Sequence, residues 1–204
     1  MKLVLVTKTV PVNRLLEAFE AGAKDFGENR VQELLSKKPE LPSEIRWHFQ
    51  GHLQTNKVKS LLGEIVLLHS LDRIDLAEEI QKQAEKKTLK VEALIQVNAS
   101  AEATKSGFVP EEVEGVFEKL GSFDRIRIRG LMTIGPFTED ERLVRASFQK
   151  LRELRDQLRR RFPDAELRDL SMGMSSDFEI AIEEGASIVR VGTSVFGKRE
   201  YATQ

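Results

Sequence analysis

The sequence has no cysteine among its 204 residues. That excludes a disulfide framework, a cysteine-ligated metal site and a thiol nucleophile. It has no excess of either charge: 32 Lys and Arg face 33 Asp and Glu, a formal net charge of −1. A dedicated nucleic-acid binder, or a protein built to lie on an anionic membrane, carries a basic surplus, so neither is expected. No apolar run approaches the roughly 20 residues of a membrane-spanning helix. The N-terminus enters a strand pattern directly, without the basic and apolar regions of a secretory signal. No low-complexity stretch or Gly/Ser-rich linker divides the chain, which reads as a single domain over residues 1-204. What these absences leave is a cytoplasmic globular protein with ample length for a core.

What is present is alternation. Short apolar or β-branched runs lie at Leu3–Lys8, Ala23–Gly27, Ile45–Phe49, Ile65–His69, Val91–Val97, Ile126–Met132, Leu167–Leu170 and Ser187–Val191. Each reads as a strand, and a helix pattern follows each one. Pro11 and Pro110 suit opening turns, Gly22 and Gly121 suit helix ends, and Ser70 is a candidate cap. Thr138 with Glu141, and Ser176 with Glu179, match a capping box. Eight strand–helix units without interruption are the pattern of an α/β fold of (β/α)8 TIM-type barrel form. An open doubly wound sheet competes only if some of the short strands are loops.

A barrel of parallel strands carries its chemistry at their carboxyl ends. Lys8 ends the first strand there, where a desolvated amine becomes a nucleophile toward carbonyl carbon. Ser171–Ser176 and Gly192-Thr193-Ser194 follow the seventh and eighth strands. These loops offer small residues, hydroxyls and backbone N–H groups, as a phosphate requires. A phosphate site opposite a strand-end lysine points to pyridoxal phosphate, whose aldehyde the lysine would hold as an imine. Arg190, ending the eighth strand, can face either the phosphate or the ring nitrogen, or make an ordinary salt bridge. Met172 is counted among the pocket residues, although methionines such as Met172 and Met174 more often fill a core.

The residues also carry a family resemblance. Val6-Thr7-Lys8-Thr9, Phe26-Gly27-Glu28-Asn29-Arg30-Val31-Gln32-Glu33 and the run from Trp47 to Lys57 resemble the pyridoxal phosphate homeostasis proteins. Gly130-Leu131-Met132, Leu170 to Ser175, and Val189 to Thr193 through Phe196-Gly197 do so too. The matches are in order and span nearly the whole chain. The resemblance implies a barrel of the alanine racemase N-terminal type with the cofactor held as an internal aldimine on Lys8. It further implies Asn29 near the ring and Ser175, Gly192 and Thr193 on the phosphate. Two departures stand out. Family members carry a helical segment before the first strand, whereas this sequence starts almost at the strand. Gln50 stands where an aliphatic residue is expected.

The three histidines, His48, His52 and His69, show no ligand spacing with a carboxylate, so no metal site is expected. The basic run Arg159-Arg160-Arg161 ends a helix, where cations are favoured. Three function classes follow. The first is a non-enzymatic carrier that buffers pyridoxal phosphate and delivers it to apo-enzymes, acting as a monomer in the cytoplasm. The second is a pyridoxal-phosphate-dependent amino-acid racemase, which needs an acid/base on each face of the substrate carbon. The one tyrosine, Tyr201, lies near the C-terminus, far along the chain from Lys8. The third, a phosphosugar-binding barrel enzyme, leaves Lys8 unexplained. The carrier is the expected function.

Overall fold

Strand and helix alternate because short, mostly apolar runs are separated by breakers such as Pro11, Gly51, Asp72, Gly173 and Gly192, which end a strand or start a helix. The computed structural model describes residues 1–100 and 106–197; Lys105 and Tyr201 lie outside them. The elements are β1 (Lys2–Val6), α1 (Val12–Glu20), β2 (Asp25–Glu28), α2 (Val31–Lys37), β3 (Arg46–Phe49) and α3 (Val58–Leu61). They continue with β4 (Leu67–Leu71), α4 (Ile74–Lys87), β5 (Val91–Gln96), α5 (Val113–Leu120) and β6 (Ile126–Met132). The last are α6 (Glu141–Arg161), β7 (Asp169–Ser171), α7 (Phe178–Glu183), β8 (Ile188–Val191) and α8 (Thr193–Phe196).

All strand pairs are parallel and sequential, and β8 returns to β1 with Val4 opposite Arg190, closing an eight-stranded barrel. Closure leaves no edge strand exposed. It also rules out the open sheet that was the competing architecture.

Strand side chains alternate, so one parity faces the helices and the other the barrel interior. Leu5, Phe26, Trp47, Leu68, Leu131 and Leu170 face outward and join the helices in the main core. Each fully buried aliphatic or aromatic side chain there contributes about 1.5–3 kcal/mol. Val4, Leu67, Leu94, Met132 and Ile188 form a separate cluster inside the barrel. The rest of the interior is polar, with His48, His69 and Ser171 fully buried and Arg190 nearly so.

Three expected caps differ from the structure. Asp140, closer to the helix than Thr138, caps α6 by accepting the Arg142 N–H at 3.0 Å, while Thr138 Oγ1 accepts the Asp140 N–H. Asp177 rather than Ser176 takes the start of α7. Ser70 belongs to β4, and its hydroxyl donates to the Gly51 carbonyl at 2.6 Å. At α6 an aspartate two residues nearer the helix outcompetes the Thr138 hydroxyl; at α7 Asp177 stands at the cap position without a capping bond, its Oδ1 accepting the Met174 N–H at 2.5 Å.

Candidate functional site

The turn that carries Lys8 is fixed from behind. The Val10 N–H donates to the Thr7 carbonyl at 3.0 Å, closing a turn with Lys8 at its bend. Thr9 takes φ 61°, a left-handed conformation uncommon for a threonine, and its N–H donates to Glu33 Oε1 at 2.5 Å. Lys37 Nζ donates to the same Thr7 carbonyl at 2.8 Å, to Glu28 Oε1 at 2.8 Å and to Glu33 Oε1 at 2.6 Å. Thr7 Oγ1 also donates to Glu28 Oε1, at 2.7 Å. Burial raises the Glu28 carboxyl above its usual range, more than the Lys37 hydrogen bond lowers it. Glu33 and Lys37 stand one helical turn apart on α2, so one face of that helix clamps the turn at both Thr7 and Thr9.

The clamped turn delivers Lys8 into a cleft of about 80 Å³, opposite Arg190 and Met174 and beside Asn29 and Gln50. A second cavity of about 300 Å³ shares Asn29, Gln50 and Ile134 with it, so the two form one continuous mouth over the strand ends. Among the described residues Lys8 makes no hydrogen bond or ion pair. Asn29 is held because Gly51 packs on it: a Cβ at Gly51 would overlap the Asn29 carbonyl. Gln50 Nε2 donates to Asn29 Oδ1 at 3.3 Å. The residue that departs from the family pattern thus touches a candidate site residue rather than serving packing alone.

Arg190 is 4% exposed and has no carboxylate within ion-pair distance among the described residues. It donates to Ser171 Oγ at 2.7 Å and to the Thr133 carbonyl at 2.9 Å. Burial lowers its guanidinium to about 10, against an opposing pull from Asp177. Of the three alternatives, a strand-end salt bridge is absent among the described residues, and Arg190 lines the cleft.

At the rim, Ser175 Oγ accepts the Gly192 N–H at 3.2 Å and the Ser194 N–H at 3.4 Å. Ser194 Oγ donates to the Ser175 carbonyl at 3.3 Å. The loops after β7 and β8 are therefore cross-tied, and Ser175, Gly192 and Thr193 stand together with the Thr193 side chain exposed. Gly173 precedes them at φ +90°, where a Cβ would strike Ala181.

Met172 does not share this site. It is fully buried in the layer between barrel and helices, because strand parity turns Ser171 inward and Met172 outward. Met174, two residues on, lines the cleft instead. The histidines do not converge either. His48 and His69 bond to each other inside the barrel, while His52 pairs with Asp72 at 3.0 Å in the larger cavity. Among the described residues no cluster of His, Asp or Glu is arranged to hold a metal ion. Among the described residues no helix is long and apolar enough to cross a membrane.

These donors fit a phosphorylated aldehyde. The cleft has a free primary amine and a guanidinium without a carboxylate partner, and the rim has hydroxyls and backbone N–H groups.

A family model described as "Alanine racemase, N-terminal domain" matches residues 1–200. The chain is 52% identical over 201 residues to the pyridoxal phosphate homeostasis protein of Aquifex aeolicus, covering 98% of this chain and 88% of that one. Among solved structures it resembles PipY of Synechococcus elongatus without PLP, with TM-score 0.92 and 35% identity over 97% of this chain and 93% of that one. The structure of PipY with PLP bound matches with TM-score 0.89 and 34% identity, covering 97% and 92%.

Proposed function

This chain belongs to the pyridoxal phosphate homeostasis protein family, and from that premise we propose that it binds pyridoxal 5'-phosphate as a carrier, not as an enzyme. It holds the aldehyde carbon covalently on Lys8 Nζ and buffers and delivers the cofactor in vitamin B6 homeostasis. Ser175, Gly192 and Thr193 would hold the phosphate, Asn29 would stand near the ring, and Arg190 would offer it a hydrogen-bond donor. The observation that carries the reading is Lys8, an amine without a partner among the described residues, held by a clamped turn in the same cleft as Arg190.

The cofactor, when bound, supplies an electron sink. The protein's share of any amino-acid chemistry would be an acid/base on each face of the substrate carbon. Among the described residues lining the cleft of about 80 Å³, Lys8 carries the one amine and the others are apolar, carboxamide or Arg190, while His52 and Asp72 line the adjoining cavity paired to each other. That favours holding and release over turnover. The protein acts as a monomer in the cytoplasm, with apo-enzymes as recipients.

Incubation of cofactor-loaded protein with L-alanine, L-glutamate and L-serine in deuterated buffer tests the reading. Slow α-proton exchange that stops at stoichiometric amounts is expected. Multiple-turnover racemisation at about 1 s⁻¹ or faster would restore the racemase.

A further inference from the structure

A continuous set of buried side chains links Arg190 to the opposite end of the barrel. Arg190 donates to Ser171 Oγ at 2.7 Å, and Ser171 Oγ lies 2.8 Å from His69 Nδ1. His69 Nε2 lies 2.8 Å from His48 Nδ1, and His48 Nε2 lies 3.0 Å from Asp25 Oδ1. Asp25 opens β2, so it stands at the amino-terminal end of the strands, and the site lies at the other end. There Arg46 Nε donates to Asp25 Oδ1 at 2.8 Å, and Lys2 Nζ lies 3.9 Å away. Strands β3 and β4 are not neighbours of β7 and β8, so these side chains meet only through the interior.

Both ends of the set can act in one sense only. A guanidinium donates and never accepts, and a carboxylate only accepts. Burial alone would raise the Asp25 carboxyl, but hydrogen bonds from His48 and Arg46 outweigh it and hold Asp25 ionised. Burial lowers both His48 and His69, and each ring's charged neighbours do not reverse this, so both are neutral. With neutral rings, one assignment satisfies every atom. His48 carries its proton on Nε2 toward Asp25, His69 carries its proton on Nε2 toward His48, and the Ser171 hydroxyl donates to His69 Nδ1. All the hydrogen bonds then run from Arg190 to Asp25.

We infer that Asp25, His48, His69 and Ser171 form a one-way hydrogen-bonded array that holds Ser171 as an acceptor for Arg190 and fixes which of the Arg190 N–H groups face the cleft. They are positioning residues. The array cannot feed a proton to the cleft, because it ends on a guanidinium that does not accept one. Its consequence for ligand binding rests on the cofactor reading above, but its direction does not.

The test uses two measurements. Nitrogen NMR of the cofactor-free protein with labelled histidine, at about pH 7, reads the tautomers of two buried rings beside one exposed ring. Both buried rings are expected neutral with the proton on Nε2. A proton on Nδ1 of either, or a doubly protonated ring, overturns the array. The second measurement is cofactor affinity and the visible absorption band in Ser171→Ala and Ser171→Thr. The alanine variant is expected to bind about tenfold more weakly, by loss of one hydrogen bond to a charged group, with a displaced band. The threonine variant, which keeps the hydroxyl, is expected to restore both. Unchanged affinity and band in Ser171→Ala overturn the positioning role. A wild type that takes up no borohydride-reducible cofactor overturns the functional reading instead, and the tautomers still decide the array.

Discussion

Lys37, behind the Lys8 turn, and Arg190, in the cleft, are both buried cations, 8% and 4% exposed. Lys37 has two carboxylates and a carbonyl in direct contact, which use all three of its N–H donors. Arg190 touches only neutral oxygens, of Ser171 and Thr133, and has donors to spare. A cation whose donors are all satisfied by the fold serves the fold. Here Lys37 holds the Lys8 turn in place and is not available to a ligand. A buried cation bonded only to neutral oxygens keeps its remaining donors for whatever enters the cleft. The structural and ligand-facing roles thus separate by what occupies the donors, not by burial.

The largest expected effect breaks the Lys37 side of this comparison. Lys37→Met leaves Glu28 and Glu33 without their cation and should lower unfolding stability by about 3–5 kcal/mol. Denaturant unfolding of the cofactor-free protein measures it as a lower midpoint at unchanged slope. A loss below about 1 kcal/mol, the level of an ordinary surface pair, would mean that the clamp is not structural. Arg190→Met should cost less, about 1–3 kcal/mol for the acceptors left short. It should nevertheless weaken cofactor binding more than Lys37→Met does, in titrations followed by visible absorbance. If the two variants rank the same way in both measurements, the distinction between the two cations fails.

The interior array adds a pH dependence. His48 and His69 have folded values below the ordinary 6.5 because burial penalises the charged ring. The unfolded chain then binds more protons than the native one below that value. Stability should therefore be full above pH 6.5 and fall as pH drops through it, by up to about 1.4 kcal/mol per pH unit for each ring. Lys2, Arg46 and Arg190 oppose protonation of the rings and Asp25 favours it, while Glu28, raised by burial, acts in the opposite sense nearer pH 4.5. Chemical denaturation from pH 8 to 5 in wild type and in His48→Gln/His69→Gln checks this. The double variant should lose most of the slope.

The smallest effect lies at the rim. Thr193→Val should weaken cofactor binding by about tenfold, the lower end of a charge-assisted hydrogen bond, since the side chain is solvent-exposed. Isothermal titration gives the value. An unchanged affinity would assign the phosphate to backbone N–H groups alone.

The barrel was legible in the sequence because each of its strands is a short apolar run between strong breakers, and the closed order follows from the alternation. That Lys8, Asn29, Ser175, Arg190, Gly192 and Thr193 stand at the strand ends was legible for the same reason, since a parallel barrel gathers its loops there; their part in holding the cofactor is a proposal. Met172 was misplaced because loop position was used where strand parity decides, and one residue reverses the face. Counting by two along β7 from Leu170, which packs in the outer core, turns Met172 outward and Ser171 inward. The clamp and the array were not legible. They join residues of different strands and helices, and nothing in a one-dimensional pattern pairs Asp25 with His48 or Glu28 with Lys37. The α2 spacing of Glu33 and Lys37 was the one local signal, and it reads equally as a surface pair.

The central claim is that Lys8 carries the cofactor. Purified protein would be loaded with pyridoxal phosphate, reduced with borohydride, digested and mapped by mass spectrometry, alongside Lys8→Ala. The account predicts a visible band lost on reduction, the adduct on the peptide containing Lys8, and no adduct in a folded Lys8→Ala protein. An adduct on another lysine, such as Lys57, or one that survives in Lys8→Ala, would contradict it.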